Sequence, residues 1–220
     1  MINEFNQLTI PLYHATSNFF LDSIRRYGLG GRRDVNIFNE NIFSLLIEAL
    51  NQPENKTMWW DINGCLFNNI NDQKVTRGGF NFRYGNAYLT PSLFTAKSYA
   101  TSSRLGSEYL SSMHDCFNAL FEVSPSVAKE IIPTDHPINE IFNAEHIPIL
   151  ITARNVNVSN LKTEQGHAID HQLKWMSEEK KESPNVDPEG LWQQCNFELI
   201  GAIPLDQLKF STLDGNEIIF

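Results

Sequence analysis

The apolar residues of this chain occur in short runs, and runs with helical spacing come before most of the runs that resemble strands. Helical patterns lie at 17–28, 34–51 and 93–103, whereas most later runs have the length and composition of strands. Helices and strands that are segregated along a chain favour an α+β fold with antiparallel sheets over alternating βα units. We therefore predict an α+β fold, and we expect one domain over residues 1–220 because this length suffices for one sizeable core.

Turn-forming residues delimit the predicted elements. Thr90-Pro91-Ser92 ends one strand and caps the next helix, and Gly28 ends the helix that begins at Ser17 or Asn18. A further helix is expected at 169–182 within a polar segment. The predicted strands lie at 8–13, 80–90, 118–124, 147–153, 196–203 and 208–211, with shorter candidates at 59–62 and 65–67.

Charge is unevenly distributed along the chain. The net charge is −9, and residues 106–220 carry eighteen acidic against seven basic residues, whereas residues 1–105 carry eight against ten. This balance argues against a protein that coats nucleic acid nonspecifically, because such binding requires clustered Lys and Arg. The arginines of the first half either contact phosphate groups locally or are solvated surface residues. They are Arg25, Arg26, Arg32, Arg33, Arg77 and Arg83.

The sequence indicates neither a membrane segment nor a metal site. No run approaches the roughly 18 apolar residues of a membrane helix, and the N-terminus lacks the pattern of a signal peptide, so we expect a cytoplasmic protein. His167 and His171 stand four residues apart without an obvious third ligand, and no metal is expected. Cys65, Cys116 and Cys195 lack the close spacing of a zinc or redox motif and are expected to be reduced thiols.

Three apolar runs each contain a residue suited to cleaving a glycosidic bond. His14 stands in Leu-Tyr-His-Ala-Thr, Tyr88 stands in the run before Pro91, and Glu198 stands in Asn-Phe-Glu-Leu-Ile. Cleavage produces an oxocarbenium-like sugar cation, which requires a group that fixes the sugar, a slot for the leaving ring and a carboxylate near the positive charge. A carboxylate inside an apolar strand needs such a reason, because burying it unpaired is costly.

These motifs resemble the ADP-ribosyltransferase superfamily, on the branch with a His-Tyr-Glu triad that includes bacterial toxins and phage-defence enzymes. The resemblance implies two packed, mainly antiparallel sheets with flanking helices, and insertions around 32–79 and 160–190. It also implies that NAD is the co-substrate.

The same resemblance assigns roles to individual residues. His14 bonds the nicotinamide ribose, the Ala15 backbone holds the carboxamide, and Thr16 completes this cofactor-binding motif. Tyr88 and Tyr99 sandwich the nicotinamide ring between two aromatic faces. Glu198 bonds the ribose 2′-hydroxyl and stabilises the cation.

Two positions depart from the pattern of the family. Relatives carry a serine where this chain has Ala96, and Thr95 or Ser98 is the expected substitute for its contact with the carboxamide. Asn196 stands two positions before Glu198, where arginine-modifying relatives carry Glu and nucleobase-modifying relatives carry Gln. An amide at this position favours a base as the acceptor, so Asn196 is expected to orient the acceptor.

The expected function is transfer of one ADP-ribose from NAD to a macromolecule, with a nucleobase of RNA or single-stranded DNA favoured. Bases would stack on Trp59, Trp60 or Phe80. The expected setting is an intracellular toxin or anti-phage effector that an antitoxin protein restrains, with no membrane partner. The alternatives are a protein acceptor, an NAD glycohydrolase in which water is the acceptor, and a non-catalytic module that binds NAD or ADP-ribose and has no need of Glu198.

Overall fold

A computed structural model of the chain describes residues 1–31, 41–73 and 87–219, which form two compact units. Among these residues, the sheet unit comprises 1–31, 87–106 and 147–219. The helical unit comprises 41–73 and 107–146. All strands of the described residues lie in the sheet unit.

Two antiparallel sheets form the sheet unit. Their strands are β1 (Leu12–Ser17), β2 (Tyr88–Leu89), β3 (Pro148–Ala153), β4 (Leu161–Thr163), β5 (Phe197–Leu199), β6 (Leu208–Ser211) and β7 (Glu217–Ile218). One sheet has the strand order β1-β3-β6-β7 and the other has the order β2-β5-β4. Helices flank both sheets, which confirms the predicted α+β class with two antiparallel sheets.

The two sheets meet at the start of β1. Tyr13 and Thr90 exchange two backbone hydrogen bonds, from Tyr13 N to Thr90 O at 2.7 Å and from Thr90 N to Tyr13 O at 2.9 Å. Leu12 and Ile151 of the first sheet share the main buried cluster with Phe197 of the second. Both sheets therefore contribute to the main apolar core of the unit.

The helices of the sheet unit are α1 (Leu21–Tyr27), α4 (Leu93–Ser102), α8 (Asp170–Glu182) and α9 (Pro188–Leu191), and predicted caps bound two of them. The Ser92 side chain accepts a hydrogen bond from Thr95 N at 3.2 Å, which is the predicted cap of α4. Gly28 follows α1 as predicted, and its N–H bonds the Ile24 carbonyl. On the inner side of α4, Ala96 and Ala100 pack against the first sheet.

The helical unit is held by apolar residues at helical spacing. Its helices are α2 (Ile42–Leu50), α3 (Met58–Asn71), α5 (Glu108–Val123), α6 (Pro125–Ile131) and α7 (Ile138–Asn143). In α2, Phe43, Leu46 and Leu50 are buried at intervals of three and four, so they share one helix face. No helix of the described residues is both long and apolar enough to cross a membrane.

Three predicted strands in this unit are wrong, because all three lie in helices. The candidates at 59–62 and 65–67 lie in α3, which starts where Thr57 accepts a hydrogen bond from Trp60 N. The candidate at 118–124 is the end of α5, whose buried positions Leu110, Met113 and Cys116 are three residues apart. Within a seven-residue window the apolar run has no visible helical period, and the period emerges only over the whole helix.

The strand predictions within the sheet unit agree better with the structure, although most of the observed strands begin or end at other residues than predicted. The runs 147–153 and 208–211 are β3 and β6, and the run 196–203 contains the shorter β5. The first strand begins later than expected, at Leu12, so His14 lies inside it. Of the predicted strand 80–90, residues 80–86 lie outside the described residues.

The three cysteines are free thiols, as expected. Cys65 is exposed, whereas Cys116 and Cys195 are buried in the helical and sheet units respectively. Burial is the main cause that raises the pKa of both buried thiols. Their thiolates are therefore disfavoured, and both side chains serve as packing groups.

The chain passes close to the end of β1 at Gly106, and substitution of this glycine tests that close approach. Its φ is +77°, and a Cβ there would overlap the Ser17 backbone nitrogen and lie 2.6 Å from Ser17 Oγ. Gly215 has a similar φ of +85° with no atom within 4 Å of its Cβ position. Both Gly→Ala substitutions incur about 1–2 kcal/mol of backbone strain, and we expect Gly106→Ala to lose a further ~1–3 kcal/mol because β1 must shift. Urea unfolding of the two variants measures this difference, and equal midpoints would contradict it.

Candidate active site at the junction of the two sheets

Glu198 lies on the central strand of the three-stranded sheet, with Tyr88 and Lys162 directly opposite it on the two neighbouring strands. Directly opposed residues of antiparallel strands direct their side chains to the same face. Phe197 and Leu199, the neighbours of Glu198 along β5, belong to the main core. Glu198 therefore projects from the other face of the sheet, together with Tyr88 and Lys162.

The carboxylate of Glu198 is held where little water reaches it. Glu198 is only 5% exposed, and burying an unpaired charge is costly. Lys162, which is exposed, brings a positive charge to the directly opposed position on β4. A carboxylate in such a setting interacts more strongly with a nearby positive charge than a carboxylate in bulk water does. Glu198 is thus suited to stabilising a cation that forms beside it.

A hydrogen bond connects His14 of β1 to the strand that carries Tyr88. His14 Nδ1 lies 2.8 Å from the Tyr88 carbonyl oxygen. A carbonyl oxygen only accepts, so Nδ1 carries the proton and donates it. In the neutral ring Nε2 is then the hydrogen-bond acceptor. The structure therefore brings together His14, Tyr88 and Glu198, which are far apart in the sequence.

The two residues after His14 are buried and have structural contacts. Ala15 packs with Ala96 and Ala100 of α4 in a small apolar cluster. Thr16 Oγ1 donates to the Gly106 carbonyl at 3.2 Å. Both side chains therefore hold β1 in place, and only the backbone of Ala15 remains as a candidate ligand group.

The residues of α4 differ in how accessible they are. Tyr99 is 44% exposed and Ser98 is exposed beside it. Ala96 is buried against the first sheet. Thr95 Oγ1 donates to the Gln193 carbonyl at 3.1 Å, so its hydroxyl already has a structural partner. Of the two hydroxyls expected to replace the missing serine, Ser98 is the accessible one.

Asn196 contacts a carboxylate that the sequence analysis did not single out. Its Nδ2 donates to Glu164 Oε2 at 3.4 Å. Glu164 directly follows β4, and Asn196 directly precedes β5, so the two residues continue the pairing of these strands. Glu164 and Lys162 both belong to the segment 160–190, which was expected to be an insertion. The strand β4 is only three residues long and Leu161 is its one apolar residue, so no apolar run marks it in the sequence.

Tyr13, the neighbour of His14, lies in a partly buried and charged setting. Burial raises the pKa of its phenol, the nearby Glu189 carboxylate raises it further, and Arg154 lowers it. The phenol consequently stays protonated at neutral pH. It packs against the cluster of Ala15 and Leu150.

The residues proposed for nucleic-acid contact differ in how exposed they are, and some lie outside the described residues. Arg25 and Arg26 line an open surface depression of about 490 Å³ together with Asp22 and Leu205, and Arg25 pairs with Asp22 at 3.7 Å. Trp60 is 3% exposed, so its ring is not available for stacking, whereas Trp59 is 36% exposed. Five further candidates lie outside the described residues: Arg32, Arg33, Arg77, Phe80 and Arg83.

The chemistry of this site has to be derived from its own residues. Comparison of the chain with protein-family models, curated proteins and solved structures finds no match. Across residues 1–31, 41–73 and 87–219, no three His, Cys, Asp or Glu side chains form a group that could hold a metal ion. The grouping of His14, Tyr88 and Glu198 is therefore the arrangement from which we infer function.

The bond between His14 and Tyr88 can be tested through stability. His14→Asn retains an N–H donor near the position of Nδ1, whereas His14→Ala leaves the Tyr88 carbonyl without this partner. We expect His14→Ala to lower the free energy of unfolding by about 1–3 kcal/mol and His14→Asn to lower it by about 1 kcal/mol or less. Urea denaturation followed by circular dichroism measures both. Indistinguishable midpoints for the two variants would show that this bond does not stabilise the junction.

Proposed function

We propose that this chain is an NAD-dependent mono-ADP-ribosyltransferase with an ADP-ribosyltransferase-like fold. The observation that carries the proposal is the grouping of His14, Tyr88 and Glu198 where the two antiparallel sheets meet. Each of the three has a distinct task in breaking the bond between nicotinamide and ribose. The motifs that resemble this superfamily supply the same three residues.

Glu198 stabilises the charge that develops during cleavage. As nicotinamide leaves with the bonding electron pair, the ribose becomes an oxocarbenium-like cation. The buried carboxylate accepts a hydrogen bond from the ribose 2′-hydroxyl and lies beside the positive charge. Since the carboxylate is held by its strand, little reorganisation is needed when the charge forms. It also accepts the proton that the attacking group loses.

His14 fixes the ribose without adding positive charge beside the cation. Its Nδ1–H donates to the Tyr88 carbonyl, so Nε2 is the accepting nitrogen of the neutral ring. That nitrogen accepts a hydrogen bond from a ribose hydroxyl. An imidazolium at the same position would oppose formation of the cation electrostatically.

The nicotinamide ring lies between Tyr88 and Tyr99 in this proposal. Tyr99 is 44% exposed, so part of its side chain is accessible to a ligand. The Ala15 backbone and the Ser98 hydroxyl bond the carboxamide. Thr16 contributes by holding β1 to Gly106, and Asn196 orients the acceptor.

Loss of the Glu198 charge should strongly slow nicotinamide release while leaving the fold intact. We expect Glu198→Gln to lower the rate of nicotinamide release from NAD by about 10²–10³-fold, because the amide does not stabilise the cation. Glu217→Gln is the matched control, since Glu217 is an exposed glutamate on β7. Release is followed by liquid chromatography, and NAD affinity is measured by calorimetry.

The outcomes of this experiment separate the proposal from its alternatives. Equal turnover in the wild type and in Glu198→Gln would remove Glu198 from the mechanism. NAD binding without any nicotinamide release by the wild type would identify a binding module. Release that yields only free ADP-ribose, with every acceptor class tested, would identify a glycohydrolase.

The acceptor is expected to be a nucleobase in single-stranded RNA or DNA, because unpaired bases present their edges and can stack on aromatic rings. Incubation with NAD labelled in its adenosine part should then transfer label to nucleic acid. Transfer should weaken between about 50 and 200 mM salt if phosphate contacts contribute to binding. Label found only in a protease-sensitive, nuclease-resistant product would show that the acceptor is a protein.

A further inference from the structure

The side chain that faces the acceptor in the proposed function is itself held by a carboxylate. Asn196 Nδ2 donates to Glu164 Oε2 at 3.4 Å. The pairing of β4 with β5 places Lys162 opposite Glu198 and Thr163 opposite Phe197, so Glu164 and Asn196 form the next opposed pair. Alternation along the strands puts this pair on the same face as Glu198, away from the core. Glu164 therefore lies on the same face of the sheet as Glu198, beside Asn196.

The contact determines which end of the Asn196 amide faces outward. An ionised carboxylate only accepts hydrogen bonds, so the NH₂ group of the amide must face Glu164. The Oδ1 atom then faces the other way. The two ends of an amide are otherwise equivalent in shape, and a partner that accepts without donating selects one orientation.

The turn after β4 holds Glu164 in place. Thr163 N donates to the His167 carbonyl at 2.8 Å, and Gly166 N donates to the Thr163 carbonyl at 2.8 Å. His167 N also donates to Thr163 Oγ1 at 3.0 Å. The carboxylate thus projects from a backbone that is bonded on both sides of the turn, which makes it an effective positioning group.

We propose that Glu164 is a positioning residue that orients Asn196, and that the site consequently selects the exocyclic amine of a nucleobase as its acceptor. This inference rests on the proposed function. Asn196 Oδ1 and the Glu164 and Glu198 carboxylates are all hydrogen-bond acceptors, so the face suits a group with N–H donors. A phosphate acceptor would be repelled by the two carboxylates.

The transfer step is balanced with these residues. The amino nitrogen of the base forms a bond to C1′ of the ribose, and the bond from C1′ to the nicotinamide nitrogen breaks. Nicotinamide leaves with the bonding electron pair. The amino nitrogen loses one proton to the Glu198 carboxylate, while its other N–H donates to Asn196 Oδ1.

The base preference is tested with the wild-type protein and single-stranded oligonucleotides. Adenine, guanine and cytosine carry an exocyclic amine, whereas uracil and thymine do not. We expect labelled ADP-ribose to reach at least one amine-bearing homopolymer and neither oligo-U nor oligo-dT. If guanine is the base modified, its replacement by hypoxanthine should abolish transfer. Transfer to oligo-U or oligo-dT at a comparable rate would overturn the inference and leave the proposed function standing.

The role of Glu164 is tested by a double-mutant cycle. In Glu164→Gln the amide of Asn196 can adopt either orientation, and we expect kcat/KM for the oligonucleotide to fall about tenfold. Asn196→Asp sets two carboxylates against each other and should reduce it further. The double variant Glu164→Gln/Asn196→Asp restores a donor at one position and an acceptor at the other, so kcat/KM should recover by about tenfold relative to Asn196→Asp alone.

Two controls separate a positioning role from general damage. Glu164→Gln should lower kcat/KM for the oligonucleotide more than it lowers NAD hydrolysis without acceptor, and Glu182→Gln, an exposed position of α8, should match the wild type in every assay. Either of two results would overturn the inference: an unchanged kcat/KM for the oligonucleotide in Glu164→Gln, or no recovery of kcat/KM in the double variant. Transfer by the wild type would still support the proposed function. A wild type that neither hydrolyses NAD nor transfers ADP-ribose would overturn both the inference and the proposed function.

Discussion

The backbone pairing of Tyr13 with Thr90 is the interaction on which the sheet unit depends. Its two hydrogen bonds join the four-stranded sheet to the three-stranded sheet where β1 begins. The next residue, His14, adds its bond to the Tyr88 carbonyl. Since Tyr88 is directly opposite Glu198, the positions of all three residues are set by main-chain pairing. Such preorganisation is what stabilisation of a short-lived charge requires.

Successive residues of β5, the central strand of the site, point alternately to the core and to the candidate site. Phe197 and Leu199 belong to the main core, and Glu198 between them lies on the opposite face. A slip of one residue in the pairing of β5 would exchange the buried apolar side chains with the carboxylate, so the core itself enforces the register of the site. In the proposed function, the low exposure that makes this carboxylate costly to fold also makes it effective against a nearby cation.

The contribution of β4 shows why a local pattern can hide part of a site. Leu161–Thr163 is a short stretch with one apolar residue inside a charged segment, yet it pairs with β5 and supplies Lys162 and the neighbouring Glu164. The helical unit gives the converse case, since apolar runs in α3 and α5 look like strands in a short window. Hydrophobic periodicity identifies helices and strands that are long enough to show a period. It does not predict which polar segment pairs with a given strand.

From the sequence alone, the α+β class, the helix between Ser92 and Ser103 and the strands around residues 150 and 210 could be predicted, because capping, turn residues and apolar spacing are local properties. The sequence also singled out His14, Tyr88 and Glu198 as chemically unusual positions within apolar runs. Only the tertiary structure decided that these residues share one junction, that Trp60 is buried and that Glu164 faces Asn196. The shared junction and the contact of Glu164 with Asn196 depend on pairing between segments that are 32 to 110 residues apart, and long-range register is set by the packing of the whole core.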